Sequence, residues 1–374
     1  MQITGIICEY NPFHKGHKKQ LDYIKQHNPD TAIVCLMSGN FVQRGWPAIV
    51  DKSLRAKAAV LAGADLVLEL PITVSLASAE GFAAGGVDIL GKFCHKLCFG
   101  AENCDEELFS TTAKALTTGD FKSHLHVCLD EGLSFPAARQ KALKAMGCKA
   151  DILSKPNNIL AVEYCKAIIA SGCSMEPMPI LRQGDYHNNL PDTENPSATA
   201  IRNLMEQNVA WTDYVPSPEC FEGASIHTLS TAEQAILYRL KTMTDEEFQA
   251  LPYGSEGLWR KLMHNSRKYN TLEEIISGTK SKRYTRTRLY RMVMCAYLGI
   301  TEEMLSAPAP YINVLALSSA GREALKLARE TGNFINIGEN IKNPYAEFQN
   351  RCDDLYEMFS PTPAKATRKV YVHK

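Results

Sequence analysis

The chain has 374 residues, 45% hydrophobic and 22% charged, a globular composition with room for more than one domain core. Its 41 Lys and Arg balance its 41 Asp and Glu, so the molecule as a whole attracts no polyanion, and a nucleic-acid surface has to be a local patch. Twelve cysteines without a CxxC pair match neither a disulfide framework nor a zinc ribbon, and there is neither a leader-like basic segment nor the roughly 20-residue apolar run of a membrane span, which together predict a reduced, cytosolic setting.

Residues 3–8 are an apolar run that predicts a strand, and 15–27 carry a helical pattern. The alternation continues with strand 31–37, helix 52–62, strand 65–70 stopped by Pro71, helix 75–90, and strand 96–99 ending at Gly100. Strand, helix and strand at this spacing predict parallel βαβ units, hence an α/β fold with a Rossmann-like, doubly wound parallel sheet. Helical patterns at 105–115, 136–145 and 157–170 lead to one more strand, 176–181. Prolines and polar residues over 212–222 read as a linker, which divides the chain into a catalytic domain, 1–215, and a mostly helical domain, 216–374. The latter shows helices at 232–242, 257–266, 272–277 and 285–298, a proline cluster at 308–310, one β-like run at 311–317, and a helix from about Ala320.

The chemistry concentrates in the loop Glu9-Tyr10-Asn11-Pro12-Phe13-His14-Lys15-Gly16-His17, directly after the first strand. Ligands of a doubly wound sheet bind beyond the carboxyl ends of its strands. Pro12 holds Asn11 extended, and a helix opens behind it with backbone N–H groups and dipole available to an anion. Gly16, lacking a Cβ, lets a base or phosphate approach the backbone. His14 and His17, three apart, share one face of the first turn, where two imidazoles stabilise charge on a departing pyrophosphate. A zinc pair is the rival reading, but third and fourth ligands are missing nearby. A second stretch, Ser197-Ala198-Thr199-Ala200-Ile201-Arg202, is a capped helix start, and its hydroxyls and arginine suit a second phosphate clamp.

Residues 5–17 (Gly-Ile-Ile-Cys-Glu-Tyr-Asn-Pro-Phe-His-Lys-Gly-His) resemble the opening of the bacterial tRNA(Met) cytidine acetate ligases, within the HIGH-type nucleotidyltransferase superfamily. The resemblance continues at 37–45 (Met-Ser-Gly-Asn-Phe-Val-Gln-Arg-Gly), 65–71 (Asp-Leu-Val-Leu-Glu-Leu-Pro) and 99–102 (Phe-Gly-Ala-Glu). It extends through 155–160 (Lys-Pro-Asn-Asn-Ile-Leu), 197–202 and 282–286 (Lys-Arg-Tyr-Thr-Arg). It implies an enzyme that activates acetate with ATP as acetyl-adenylate, releases pyrophosphate, and acetylates N4 of the wobble cytidine of elongator tRNA(Met). The ATP-binding positions it implies are Ile7, Cys8, Glu9, Tyr10, Asn11, Pro12, Phe13, His14, Lys15, Gly16, His17, Lys18, Lys19, Gln20, Gly100, Asn157 and Arg182. Ser197, Thr199 and Arg202 join them as the second clamp. Asp185, ahead of Tyr186 and His187, departs from the small residues common there in the family.

No Asp/Glu cluster with metal spacing appears, so Mg²⁺ is expected to arrive on the phosphates, with no protein metal site. Lys280, Lys282, Arg283, Arg286, Arg288 and Arg291 occupy one acid-free stretch with Tyr284 and Tyr290 between them, which predicts phosphate contact with tRNA. The tail 365–374 is also basic. Two rivals remain at this point: a small-metabolite adenylyltransferase without RNA, which has no need of the second domain, and a non-catalytic RNA-binding protein, which has no need of intact His14, Gly16, His17 and Arg202.

Overall fold

A computed structural model of the chain describes residues 1–182, 192–193, 195–331, 335–362 and 369–373. In chain order it begins β1 (Gln2–Cys8), α1 (Lys15–His27), β2 (Thr31–Ser38), β3 (Phe41–Val42), β4 (Trp46–Pro47), α2 (Lys52–Leu61), β5 (Leu66–Leu70), α3 (Ile72–Ser75), α4 (Ala79–Leu90) and β6 (Lys96–Ala101). Then come α5 (Glu106–Thr117), α6 (Gly119–Asp130), α7 (Phe135–Ala145), α8 (Pro156–Ser171), β7 (Glu176–Leu181) and α9 (Ala198–Glu206). The remainder is α10 (Glu233–Thr242), α11 (Asp245–Gln249), α12 (Leu258–Lys268), α13 (Leu272–Thr279), α14 (Arg286–Leu298), α15 (Glu302–Ser306), β8 (Ile312–Leu317), α16 (Gly321–Glu330), β9 (Ile335–Asn336), α17 (Pro344–Tyr356) and β10 (Tyr371–Val372).

Strands β5, β2, β1, β6 and β7 lie side by side in that order, all parallel. Every residue of β2 is buried, which is why it reads as an unbroken apolar run rather than an alternating one. Strand order reverses between β1 and β6, so a crevice opens beyond their carboxyl ends, where the Glu9–His17 loop and Gly100 lie.

The second half does not keep to itself. The 311–317 run is β8, which pairs antiparallel with β5 and completes the core sheet, and β10 and β9 add to β8 in parallel. The sheet is therefore mixed at one edge, and the linker near 215 is not a boundary of the sheet. The helices from α10 to α14 do gather round a second core (Ile236, Leu240, Phe248, Leu262, Ile276, Met292), into which Phe41 and Leu76 of the first half insert. The single helix expected over 75–90 is two helices, because Ser78 accepts from the Gly81 N–H and starts α4 afresh. Helices α6 and α11 and the β3–β4 hairpin were not foreseen.

Two buried cations tie these parts together. Arg55, fully buried, donates from Nη1 to the carbonyls of Glu9 (2.7 Å) and Ser38 (3.1 Å), from Nη2 to that of Gly39, and from Nε to that of Val50 (3.0 Å). It thereby holds the ends of β1 and β2 in register with the start of α2. Lys52 donates to Glu69 on β5 (2.7 Å) and to Asp353 on α17 (2.8 Å). Burial works against the Lys52 charge, but Asp353 and then Glu69 outweigh it and raise its pKa.

Candidate active site

The first turn of α1 is built from its own histidines. His14 is the N-cap, and its Nδ1 accepts the Gly16 N–H at 3.1 Å; His17 Nδ1 accepts the His14 N–H at 3.2 Å, closing a capping box with imidazoles in the usual hydroxyl and carboxylate places. The rings stack at 3.7 Å with 25° between planes. An Nδ1 that accepts carries no proton, so each neutral ring bears its proton on Nε2. Burial lowers the His14 pKa to about 3, with Arg182 and Arg202 adding to the effect; burial, then His14 and Arg182, push His17 well below the ordinary value. Both rings are thus neutral Nε2–H donors at pH 7. This corrects the expectation that free backbone N–H groups of the helix face the anion, since those of His14 and Gly16 are taken by the rings. It also revises the role of Gly16: a Cβ there would meet His14 Cε1 at 2.9 Å, so the glycine makes room for the ring.

Around the rings, one cleft is walled by Ile7, Cys8, Glu9, Tyr10, Asn11, Gln20, Gly100, Asn157, Arg182, Thr199 and Arg202, all expected, with His14 and His17 among its lining. Arg202 donates from Nη1 to the Asn11 carbonyl (2.8 Å) and from Nη2 to Thr199 Oγ1 (3.0 Å), which aims one helix start at the other. Burial lowers the Arg202 pKa to about 10. Ser197 is the N-cap of α9, accepting from the Ala200 N–H, and shapes the clamp without lining it. Gly100 lies inside β6 rather than past its end, and a Cβ there would meet Arg182 Cγ at 2.8 Å, so this glycine admits an arginine side chain. Asn157 is not an N-cap: it follows Pro156, the first residue of α8, and Glu102 caps the helix by accepting the Asn158 N–H (2.8 Å) and Asn157 Nδ2 (2.6 Å). Arg182 Nη1 reaches Asn157 Oδ1 at 3.4 Å, which links β7, β6 and α8.

Other expected residues do not line the cleft. Phe13 is in the core, edge-on to Tyr10 at 4.8 Å, Lys18 pairs with Asp22 (2.7 Å), and Lys19 donates to Asn195 (3.0 Å). Pro12 and Lys15 shape the turn and do not line the cleft. Asp185, with Tyr186 and His187, lies outside the described residues, as do residues 365–368 and 374 of the basic tail. The wall also holds residues not expected as site residues: Val42, Gln43, Arg44 and Trp46 of the hairpin, with Ala79, Phe82, Leu160 and Tyr164 among others. In the sequence, Gly39 and Gly45 punctuate the hairpin, and Val42, Gln43 and Arg44 fall in the 37–45 stretch that carries the resemblance.

Comparison with known proteins places the chain among its relatives. The model of the HIGH Nucleotidyl Transferase family matches residues 1–370. The tRNA(Met) cytidine acetate ligase of Clostridium perfringens is 36% identical over 97% of this chain and 96% of its own. That of Caldicellulosiruptor saccharolyticus is 37% identical over 92% and 90%. The chain belongs to the tRNA(Met) cytidine acetate ligase family. A solved relative of the family, Thermotoga maritima TmcAL bound with alpha-thio ATP, superposes over the whole of both chains with a TM-score of 0.88 at 27% identity.

The basic stretch expected to contact RNA is less free than its sequence suggests. Arg283 pairs with Glu256 (3.0 Å) and Arg286 with Glu273, acids supplied by neighbouring segments. Arg288 donates from Nε to the Tyr253 carbonyl (3.0 Å) and from Nη2 to Ser255 (2.9 Å), and it lies over the Tyr284 ring at 5.0 Å. Arg291 is turned inward over Tyr253 at 5.3 Å and donates to the Gln43 carbonyl at 3.4 Å, so it supports the hairpin. Lys280, Lys282 and Arg283 are exposed, and Arg286 and Arg288 partly so.

Among the described residues, no group of three or more His, Cys, Asp or Glu is arranged to hold a metal ion. No helix of the described residues is long and apolar enough to cross a membrane.

Proposed function

We propose that this chain activates acetate with ATP and transfers the acetyl group to N4 of the wobble cytidine of elongator tRNA(Met). The observation that carries the reading is the stacked pair of imidazoles, each with Nδ1 held as an acceptor, lining one switch-point cleft with Arg182 and Arg202. An acetate oxygen attacks the α-phosphorus of ATP, the bond to the bridging oxygen of the β-phosphate breaks, and its electron pair leaves with pyrophosphate. Uncharged donors beside fixed guanidinium groups stabilise that growing charge without a proton transfer. The cytidine amine then attacks the acetyl carbon, AMP departs, and N4 loses a proton. Mg²⁺ would enter on the phosphates, with Glu9 the carboxylate in the cleft wall.

The exposed residues Lys280, Lys282 and Arg283 and the partly exposed Arg286 and Arg288 would meet tRNA phosphates, and the helices around the second core would form the RNA-binding part of the chain. The test is pyrophosphate release from ATP with acetate, with and without elongator tRNA(Met). Release that depends on acetate, and net turnover that depends on tRNA, is the expected pattern. Turnover indifferent to tRNA supports the metabolite adenylyltransferase instead.

A further inference from the structure

The hairpin β3–β4 places a cation on the cleft that neither the histidine loop nor the Ser197–Arg202 stretch accounts for. Arg44, at its tip, is exposed and lines the same cleft as His14, His17, Arg182 and Arg202. No ion pair or hydrogen bond engages its side chain among the described residues. The hairpin beneath it is held firmly. Gln43 N–H donates to Glu9 Oε1 (2.9 Å), the Gly45 N–H to the Val42 carbonyl (2.9 Å), and the Ala48 N–H to the Asn40 carbonyl (2.9 Å). Trp46 packs edge-on to Tyr290 at 5.8 Å. Gly45, at φ +77°, presses against α14 so closely that a Cβ would lie 2.4 Å from the Arg291 nitrogen.

Arg44 and Arg202 line the same cleft, where their like charges oppose one another. Three arginines from three separate elements (the hairpin, β7 with its following residue, and α9) therefore converge on two uncharged imidazoles. Like charges gathered at a fixed place are offset when a multiply charged anion lies between them. The adenosine end of ATP cannot supply that charge, but its polyphosphate can.

We propose that Arg44 is a further catalytic residue, which binds the β- and γ-phosphates of ATP opposite Arg202 and stabilises the departing pyrophosphate. It moves no proton: as acetate bonds to the α-phosphorus and the bridging bond breaks, the electron pair goes to the pyrophosphate oxygen, and the guanidinium meets it there. This rests on the adenylation reading above and assigns a residue within it.

The experiment is acetate-dependent exchange of labelled pyrophosphate into ATP, without RNA, by the full-length chain and its Arg44→Ala and Arg44→Lys variants. Direct binding of ATP and of AMP is measured alongside. Loss of one preorganised charge contact predicts exchange slower by roughly 100-fold in Arg44→Ala. ATP binding should weaken while AMP binding is unchanged, and Arg44→Lys should recover part of the loss. Three results overturn the proposal: exchange near the wild-type rate; AMP binding lost as fully as ATP binding, which marks a structural role; or normal exchange with acetyl transfer to tRNA alone impaired, which assigns the arginine to RNA. A wild-type chain without acetate-dependent exchange would instead overturn the adenylation reading, and this proposal with it.

Discussion

Replacing His17 separates the two jobs its ring performs. Nδ1 accepts the buried His14 N–H at 3.2 Å, which leaves Nε2 as the donor of a ring that lines the cleft. In His17→Asn, the side-chain oxygen falls near the place of Nδ1, so the capping box survives and the distal donor is gone. In His17→Gln, the amide nitrogen reaches the place of Nε2, so the donor survives and the cap is lost. Removing one preorganised donor to a developing oxyanion costs about 2.7–4 kcal/mol, a factor of roughly 10²–10³ in rate. Leaving the His14 N–H without a partner costs about 1–3 kcal/mol of folding stability, since His14 is only 2% exposed. Acetate-dependent pyrophosphate exchange and urea denaturation read the two effects apart. The Asn variant should be stable and slow; the Gln variant should be less stable and far closer to wild type in turnover. An Asn variant that exchanges at the wild-type rate would refute the donor role of His17.

Three further outcomes follow from the geometry. His14 and His17 have folded pKa values below the unfolded value of about 6.5, so their stabilising contribution is complete above that pH and is lost as pH falls through 6.5 toward the folded values, about 3 for His14, at about 1.4 kcal/mol per pH unit for each ring. Urea unfolding at several pH values should show this slope flattened in His14→Asn, and an unchanged slope contradicts it. Lys52→Met leaves Glu69 and Asp353 buried without their cation, and should lower stability by about 3–5 kcal/mol in thermal or urea unfolding; a loss under 1 kcal/mol would show that water reaches the pair. Arg283→Ala combined with Arg286→Ala removes two partly exposed ion pairs worth about 0–1 kcal/mol each, so folding should barely change while the salt dependence of tRNA binding flattens by about one unit of slope per phosphate contact. Unaltered tRNA binding would remove these arginines from the RNA interface.

The sheet was readable because its strands are buried on both faces and end at Gly or Pro, so each appears as a short apolar run between helical patterns. Residues 311–317 show where that reading stops. Their strand character is visible locally, but pairing with β5 is decided by contacts distant in sequence, and so the run was assigned to the wrong half. The histidine loop and Arg202 were legible because special residue types crowd two helix starts. The inward roles of Gly16 and Gly100, each making room for a side chain of this protein, depend on rotamers that spacing does not encode. Strands of two residues have no periodicity to detect, which hid the hairpin, so Arg44 was read as part of a family stretch and given no place on the cleft. The acids that pair with Arg283 and Arg286 come from other segments, so the stretch looked free of counter-charge.

The central claim is that this cleft makes an acetyl-adenylate destined for one cytidine. The most direct measurement incubates the chain with ATP, Mg²⁺, ¹³C-labelled acetate and elongator tRNA(Met), then analyses nucleosides of the digested RNA by mass spectrometry. The account predicts labelled N4-acetylcytidine at the wobble position, one AMP and one pyrophosphate for each acetyl group, and none of these in excess without RNA. ATP cleavage with acetate but no label in the tRNA, or label at any other nucleoside, would contradict it.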